Sequence, residues 1–478
     1  MRAAVIAYLA LALITGISSA HAEEIKEIQV DENTKTSDDT VALIGRIEVG
    51  DDWNLDMIEE IKARLISSGL FKDVTVFSEP HKSGSGVKVT IVVKDKHSWV
   101  IAPAFYTQPT NIGGGVGFGE NNLFGKNQKL LLYGQIATGD SFFIGAWVIP
   151  NLGGTRWYAQ VDTFLKSQRN FEYAVPTRYI NAADKLDENG FSTNANKQVR
   201  ESRLNYLNGG LKLGIELFRG FKIDARIRGA RVTYGKTKLV EGATLADVGA
   251  DACLSGSEAT NDCVVPDPGK EGSDISTEFT MSIDRRANYY GISTGYKYSA
   301  SFENAQPGLG SDFRYFLAGI GLYRAEKILD RHNLVFKSSI GYGFHLPFQQ
   351  EYLTGGSTMR GYLNNQFRGD FRAVANLEYS VPVFTIKGFG VRALAFWDSA
   401  YTTFLNTESP DRNYLPDSKF ASGGGSKFQQ YMSPFKNSVG VGTRFYLRQI
   451  VLPLLGLDVG YGLESRDVQV YLAIGLTD

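Results

Sequence analysis

The sequence predicts a mainly β protein: a sixteen-stranded antiparallel transmembrane β-barrel over residues 98–478, preceded by one small α+β domain. Three observations predict this class. The 478 residues include 52 glycines and 12% aromatic residues, a composition that favours β-structure. From Ser98 onward, roughly sixteen segments of about ten residues alternate between apolar and polar side chains. After residue 22 no apolar run approaches the ~18 residues of a membrane-spanning helix.

The first 22 residues have the composition of a secretory signal peptide. Arg2 precedes an apolar run over residues 3–17, and Ala20-His21-Ala22 matches the small-residue cleavage signature. We therefore expect the mature chain to begin at Glu23, outside the cytoplasm. The next segment, residues 23–40, is acidic and is interpreted as a mobile linker.

Residues 41–97 are predicted to form the small α+β domain. The segment ALIGRIEVGDDW, residues 42–53, suggests a short strand, after which Asn54 can cap a helix. Apolar residues then recur at helical spacing up to Gly69, where a C-cap is expected. Two strands with alternating valines follow, separated by the turn-forming residues 82–86.

This stretch resembles a polypeptide-transport-associated (POTRA) domain, above all in the segment SSGLFKDVTVF. A generic α+β module is the alternative. A domain of this kind can offer the edge of its sheet to an extended polypeptide, which adds as a further strand through main-chain hydrogen bonds.

The alternation in the later segments fits lipid on one side and water on the other. In FKIDARIRG the even positions carry Lys222, Asp224, Arg226 and Arg228, while the odd positions are apolar. A water-soluble β-sandwich would not bury four such charges, and no blade-like repeat of a propeller is visible. Closure into a barrel also pairs the backbone groups that lipid cannot satisfy.

The connection lengths predict the orientation of the barrel. Short connections, such as 122–126, 150–153 and 219–220, follow even-numbered strands. The long connections follow odd-numbered strands, at 167–199, 237–272, 345–370 and 399–435. Tight turns are typical of the periplasmic rim and long loops of the extracellular rim. An even strand count then returns the C-terminus to the side of the N-terminal domain, which we expect in the periplasm.

Two cysteines, Cys253 and Cys263, lie ten positions apart in the polar connection after strand seven. In an exported chain this pattern favours one local disulfide over a metal site or a nucleophile. The five histidines form no recognisable nucleophile–base arrangement, so we expect no enzyme, metal or cofactor. Because the net charge is −1, nucleic-acid binding is not expected either.

The connection between strands eleven and twelve contains GGSTMRGYLNNQFRGDF, whose core is Met359, Arg360, Gly361 and Tyr362. This motif resembles the conserved loop of the BamA/TamA-type outer-membrane assembly and two-partner secretion superfamily, also called the bacterial surface antigen family. Further matches are SIDRRANYYG, NLEYSVP and AFWDSA. The resemblance implies an arginine that folds into the lumen and meets acids on the inner wall, here Glu378 and Asp398. A solvated surface arginine is the alternative.

The same resemblance implies protein insertion into, or translocation across, the outer membrane of a Gram-negative bacterium. Its partners would be unfolded or extended client polypeptides, outer-membrane lipid and accessory periplasmic proteins. A passive diffusion porin and a surface receptor are the alternatives. The porin should conduct ions without the N-terminal domain.

The junction of the first and last barrel strands is predicted to be weak. Pro103 in WVIAPAFYTQ has no N–H to donate to a ladder. If it faces the last strand, which carries Val468, Val470 and Leu472, the barrel should open laterally there. Alternatively, the first strand begins only at Pro103.

Overall fold

The computed structural model describes residues 23–108, 110–173, 198–218, 220–245, 253–257, 263–289, 291–329, 331–386, 389–405, 435–447 and 453–474. The predicted signal peptide, residues 1–22, lies outside the described residues. The chain forms two compact units. One holds the N-terminal domain together with residues 120–129, and the other holds the rest of the barrel.

The N-terminal domain is a four-stranded sheet with two helices. Its elements are β1 (Glu23–Asp31), α1 (Asp38–Gly45), β2 (Asp52–Trp53), α2 (Asp56–Ser67), β3 (Phe71–Pro80) and β4 (Val87–Asp95). The strand order is β2-β1-β4-β3, with β1 parallel to β4. Ile25, Ile61, Leu65 and Val89 are all fully buried between the sheet and the helices. Neither helix is long and apolar enough to cross a membrane.

Two predictions for this domain need correction. Residues 23–40 are not a mobile linker, because β1 lies inside the sheet and Ile25 is fully buried. Residues 42–53 do not form one strand, because their first residues belong to α1. That helix starts where the Ser37 side chain accepts a hydrogen bond from the Thr40 N–H, with acidic residues in the first turn.

The second helix forms as expected. The Asn54 side chain accepts a hydrogen bond from the Met57 N–H at 3.1 Å. Gly69 has a φ of +75°, the left-handed conformation that favours glycine after a helix. The predicted small α+β domain is therefore confirmed, while its POTRA identity stays a prediction.

The second unit and the 120–129 segment complete a closed antiparallel barrel, as predicted. Its sixteen strands are β5 (Trp99–Gln108), β6 (Asn111–Leu123), β7 (Gln128–Ala137), β8 (Asp140–Ile149), β9 (Trp157–Tyr173), β10 (Gln198–Phe218), β11 (Phe221–Tyr234), β12 (Gly272–Asp284), β13 (Ile292–Ala305), β14 (Tyr315–Ile328), β15 (His332–Phe344), β16 (Phe371–Ile386), β17 (Phe389–Thr403), β18 (Lys436–Leu447), β19 (Pro453–Gly462) and β20 (Val468–Ile474). The connections after β9, β11, β15 and β17, the fifth, seventh, eleventh and thirteenth barrel strands, are the long ones.

Short strands and 3-10 helices lie in the connections between the barrel strands. They are the strands Lys238–Leu239, Ala287–Tyr289, Tyr352–Thr354 and Phe367–Gly369, and the 3-10 helices Pro307–Leu309 and Phe348–Gln350.

Side chains alternate across the barrel wall as the sequence predicts. On β11, Ile227 is 62% exposed whereas Asp224 and Arg228 are buried. The apolar face therefore points outward to lipid and the charged face points into the lumen.

Candidate functional site

The connection between β15 and β16, residues 345–370, folds into the lumen. The strands Tyr352–Thr354 and Phe367–Gly369 pair with each other, and the Met359–Tyr362 motif lies between them. Gly361 has a φ of +95°, and a Cβ there would lie 2.7 Å from the backbone nitrogen of Gly462. Only glycine fits, because the motif backbone rests directly on β19.

Arg360 makes the contacts that the family resemblance implied. Its Nε and Nη2 donate to the two carboxylate oxygens of Asp398 at 2.9 and 2.8 Å, and its Nη1 donates to Glu378 at 2.7 Å. The guanidinium also stacks on Phe396, 3.5 Å from the ring centroid. Arg360 is only 5% exposed and Asp398 is fully buried, so this pairing replaces the water that both charges lose.

Two further charged residues of the site were not found from the sequence. Asp458 on β19 accepts from Arg360 Nη1 at 3.3 Å. Arg444 on β18 donates to both oxygens of Asp458 at 2.6 and 2.8 Å. The signal available in the sequence was the alternation of apolar and polar side chains, which places both residues on the inward face of their strands. Many other charged residues of the inner wall share this pattern, so it does not single out these two. The cluster thus joins three acids and two arginines.

The rest of the motif is held by the last strands. Tyr471 on β20 donates its hydroxyl to the Tyr362 carbonyl at 2.7 Å and accepts the Gly361 N–H at 3.0 Å. The Tyr362 hydroxyl bonds to the Asn437 carbonyl at 3.1 Å and to Glu464. Burial and the neighbouring Glu464 carboxylate raise the pKa of Tyr362 well above its ordinary value, so it stays a neutral donor.

Met359 anchors the motif by packing. It is fully buried in a cluster with Tyr362, Phe367, Val374 and Ala400. All four predicted motif residues therefore lie against the inner wall, and this geometry is incompatible with the solvated-arginine alternative.

A second cluster holds the beginning of the same connection. Arg228 on β11 donates to Glu303 at 2.5 Å and to Asp274 at 3.3 Å. Gln350 reaches this group through a 3.0 Å bond to Asp274. Leu346 packs nearby against apolar residues of β10, β11 and β14. Residues 345–370 are thus held at two separate parts of the barrel wall.

The ladder between β5 and β20 closes the barrel with three residue pairs, Phe105–Ile474, Tyr106–Ala473 and Thr107–Leu472. The ladder on the other side of β20, to β19, has seven pairs. The closing ladder is therefore short in the described part of the chain.

The predicted seam residues need a correction. Leu472 pairs with Thr107 of β5 as well as with Leu457 of β19. In the described part of the chain, Val468 and Val470 pair with β19 alone, opposite Tyr461 and Val459. The register that sets Leu472 opposite Thr107 places Val468 beyond the end of β5. Pro103 lies in β5 outside the three described pairs.

A cavity of about 540 Å³ lies in the lumen beside the site and the closing strands. Its lining includes Tyr106, Gln135, Lys337, Arg360 and Glu378. The wall is polar and charged, as in a water-filled lumen.

Cys253 and Cys263 are joined by a disulfide, with Cα atoms 5.3 Å apart. The bond lies in the long connection between β11 and β12, away from the arginine cluster. Its place on the extracellular side stays a prediction.

Similar folds are found among solved structures of outer-membrane proteins. BamA from Haemophilus ducreyi lacking POTRA domains 1-3 is 15% identical, with a TM-score of 0.62, and the alignment covers 95% of this chain and 84% of that one. CdiB from Acinetobacter baumannii is 13% identical, with a TM-score of 0.59 and coverages of 95% and 74%. CdiB from Escherichia coli is 12% identical, with a TM-score of 0.60 and coverages of 95% and 77%. No curated protein matches the sequence.

The sequence also matches the Omp85 superfamily domain over residues 122–466, most of the barrel. The match includes the lumenal motif, the arginine cluster and β19. It confirms the resemblance to BamA/TamA-type proteins and places the barrel in the bacterial outer membrane. This chain belongs to the Omp85 superfamily, whose barrels act in outer-membrane protein insertion or translocation.

Proposed function

We propose that this protein accepts extended client polypeptides through its N-terminal domain in the periplasm and delivers them through a barrel that opens between β5 and β20. The single observation that carries this proposal is the closing ladder, which has three residue pairs in the described part of the chain, beside a neighbouring ladder of seven. No cofactor and no chemical reaction are required.

The short ladder sets a low barrier to opening. A hydrogen bond contributes about 0.5–1.5 kcal/mol net, so the three described pairs hold the two strands together by a few kcal/mol. A backbone group left unpaired in lipid costs several kcal/mol, however, so an open seam needs a new partner. A client strand can supply it by pairing with β5 or β20.

The lumenal motif supports the same mechanism. Tyr471 of β20 is bonded to the backbone of Gly361 and Tyr362, while Arg360 is fastened to β16, β17 and β19. The motif therefore braces the last strand from inside. This bracing would keep the edge of β20 ordered while its hydrogen bonds to β5 are exchanged for those of a client.

The N-terminal domain offers an edge for the first contact. The strand β3 lies at the end of the sheet and pairs only with β4 in the described domain. Phe77, in the middle of β3, is 44% exposed. An extended client could add along this edge through its main chain, with an apolar side chain against Phe77.

Disulfide trapping tests whether the barrel must open between β5 and β20. Thr107→Cys with Leu472→Cys places a cysteine pair across β5 and β20, and Val459→Cys with Val470→Cys places a matched pair across β19 and β20. Each pair is combined with Cys253→Ser and Cys263→Ser, so that the engineered cysteines are the only ones in the chain.

The variants are expressed in cells depleted of the native protein, and the outer-membrane and secreted proteomes are quantified with and without oxidation. We expect the oxidised β5–β20 pair to lose the client proteins and the β19–β20 pair to retain them. Full client levels despite complete crosslinking of β5 to β20 would show that clients do not need an opening between these strands. Ion conductance that persists in that crosslinked barrel would then favour the porin alternative.

A further inference from the structure

The inner wall of the barrel carries a row of aromatic rings on three adjacent strands. The ring centroids of Tyr133 on β7 and Phe142 on β8 are 5.5 Å apart, and those of Phe142 and Phe164 on β9 are 5.9 Å apart. Tyr133 and Phe142 line the lumenal cavity, whereas Phe143, the next residue on β8, points outward and is 36% exposed. Half-buried phenylalanine rings in a wet lumen keep apolar surface in water, which a bound ligand would cover.

The faces of these rings are open. The planes of Tyr133 and Phe142 are inclined by 38° and those of Phe142 and Phe164 by 55°, so the rings do not stack face to face. Among the described residues, no cation lies over any of the three rings. A flat, apolar face of a ligand can therefore lie on Tyr133 and Phe142.

The same cavity presents neutral hydrogen-bonding groups. They are the amides and hydroxyls of Tyr106, Gln108, Gln135, Ser357, Asn364, Asn365 and Asn376. Some of these groups hold one another in place. Gln135 Nε2 donates to the Tyr106 hydroxyl at 2.6 Å. Asn364 Nδ2 donates to Gln108 Oε1, also at 2.6 Å.

Three polar side chains of this lining keep hydrogen-bonding capacity. In the part of the chain that the structure describes, Ser357 and Asn365 make no side-chain hydrogen bond. Asn376 donates from Nδ2 to the Thr358 carbonyl at 3.2 Å and keeps its own carbonyl oxygen for another partner. Donors and acceptors thus share one cavity with the open aromatic faces.

The charged groups of the cavity wall compensate one another. The lining includes three cations and three acids, which are Lys337, Arg360, Arg444, Asp140, Glu378 and Asp458. Arg360 pairs with Glu378, and Arg444 pairs with Asp458. An ionic ligand therefore meets no net charge here, and the neutral groups decide what binds.

The main chain of the wall is engaged as well. In the closed barrel each strand pairs with a neighbour on both sides, so a polypeptide in the lumen cannot add as a further strand. Recognition in the cavity thus rests on side chains. Aromatic rings that cover a face of C–H groups, together with amides that bond to hydroxyls, match the two kinds of surface of a pyranose sugar.

We propose that the lumenal cavity binds a neutral oligosaccharide. One pyranose ring lies on Phe142 and Tyr133. Its hydroxyl groups bond to Ser357, Asn365 and Asn376. The volume of about 540 Å³ lies within the range of about 300–1,000 Å³ that is common for small-ligand sites. This binding is independent of the client mechanism, because it needs the closed barrel and no opening between β5 and β20.

Calorimetric titration of the full-length protein tests the proposal, in a detergent whose headgroup is not a sugar. The probes are maltotriose and N,N′-diacetylchitobiose. Phe142→Leu keeps most of the apolar volume but removes the ring, so we expect about threefold to tenfold weaker binding. Phe143→Leu makes the same change on the lipid side of β8 and is the matched control. Saturation-transfer NMR should show the largest signal at the C–H protons of the bound sugar ring.

A loop variant covers the case in which Phe142→Leu does not assemble. Asn365→Gly removes the amide and tolerates the backbone φ of +54° at this position, and it should weaken binding about threefold or more. The tetrapeptide Gly-Ser-Gly-Ser should bind more weakly than either sugar. Three results would each overturn the proposal: no saturable binding of either sugar up to about 50 mM, tighter binding of the tetrapeptide, or an unchanged affinity in both Phe142→Leu and Asn365→Gly.

Discussion

Arg360 and Asp398 share two parallel hydrogen bonds, from Nε at 2.9 Å and from Nη2 at 2.8 Å, and Asp398 accepts the Arg360 backbone N–H at 3.1 Å as well. The same aspartate therefore fixes both the side chain and the main chain of the motif. Because Asp398 is fully buried, the guanidinium takes the place of the water that the carboxylate loses. This contact therefore contributes both to the position of the loop and to the neutralisation of the inner wall.

Arg360→Ala should lower the free energy of unfolding by about 3–5 kcal/mol, because it leaves buried acids without a cation. Because lumenal water can reach the half-buried Glu378 and reduce the cost of its charge, we expect a loss of stability at the lower end of this range. A double-mutant cycle with Asp398→Ala measures the coupling in urea unfolding of the reconstituted barrel. Arg324→Ala, which removes an exposed outward arginine, is the control. Additive effects of the two single substitutions would show that the contact carries no coupling energy.

Gly460→Ala should displace the motif from β19. A Cβ at position 460 would lie 2.6 Å from the Gly361 nitrogen and 2.8 Å from the Arg360 carbonyl carbon, and both are backbone atoms. Overpacking of this kind costs about 1–3 kcal/mol. Gly229→Ala is the matched control, because its added Cβ meets nothing within 4 Å. We expect faster proteolysis of residues 355–366 in Gly460→Ala alone, and equal protection in both variants would contradict this geometry.

The barrel was predictable because lipid imposes a local pattern. Apolar–polar alternation is visible within a single strand such as β11. The rule that long connections follow odd-numbered strands is visible from neighbouring segments. The strand β1 was missed because it pairs in parallel with β4, over sixty residues away, and because its acidic composition hides Ile25. The start of α1 carried a usable signal, a capping Ser37 before two acidic residues, which the apolar residues that follow obscured.

The site shows the same limit. The motif residues and two acids could be placed from a resemblance, whereas Asp458 and Arg444 look like any other inward charges of the wall. Their role comes from the fold of residues 345–370, which no local pattern encodes. The predicted contact of Val468 with β5 was wrong for a related reason. Alternation along β20 shows which side chains point inward and which point outward, but it does not show which residue of β5 lies opposite each of them.

Asp95 should make the N-terminal domain sensitive to acid. Burial alone would raise the pKa of its carboxyl, but bonds from Thr36 Oγ1 and from the backbone N–H groups of residues 34–36 outweigh it and lower the pKa. The Lys35 N–H donates at 2.7 Å. Because the folded pKa lies below the unfolded value of about 3.9, this stabilisation is present above that pH. It is lost as the pH falls through the folded pKa.

Hydrogen exchange of residues 33–37 in the full chain checks this expectation. Asp95→Asn should exchange faster than the native protein at neutral pH, and the difference should vanish below the folded pKa. Asp52→Asn, which changes an exposed carboxylate of the same domain, is the control. A difference that persists unchanged at low pH would show that the carboxylate charge is not the cause.

The disulfide should order its own loop without supporting the barrel. Closing ten residues restricts the unfolded chain by somewhat less than the ~3 kcal/mol of a fifteen-residue loop. In Cys253→Ser/Cys263→Ser we expect faster proteolysis between these positions in intact cells and an unchanged barrel unfolding transition. Thiol labelling of the native protein under denaturing, non-reducing conditions should find no free cysteine. Two labelled thiols would disprove the bond.

Tyr471→Phe should loosen the last strand while leaving its packing intact. The lost hydroxyl makes two bonds to the motif backbone, to Tyr362 O at 2.7 Å and from Gly361 N at 3.0 Å. On the other side of β20, β5 contributes three pairs among the residues that the structure describes. Each bond contributes about 0.5–1.5 kcal/mol, so opening of β20 should become at least several-fold more frequent. Amide hydrogen exchange of residues 468–474 measures that frequency. Tyr461→Phe, on the outward face of β19, removes a hydroxyl without touching the motif and should leave exchange unchanged. If both variants exchange alike, the motif does not brace β20, and the barrel would have to hold its closing strand by the ladders alone.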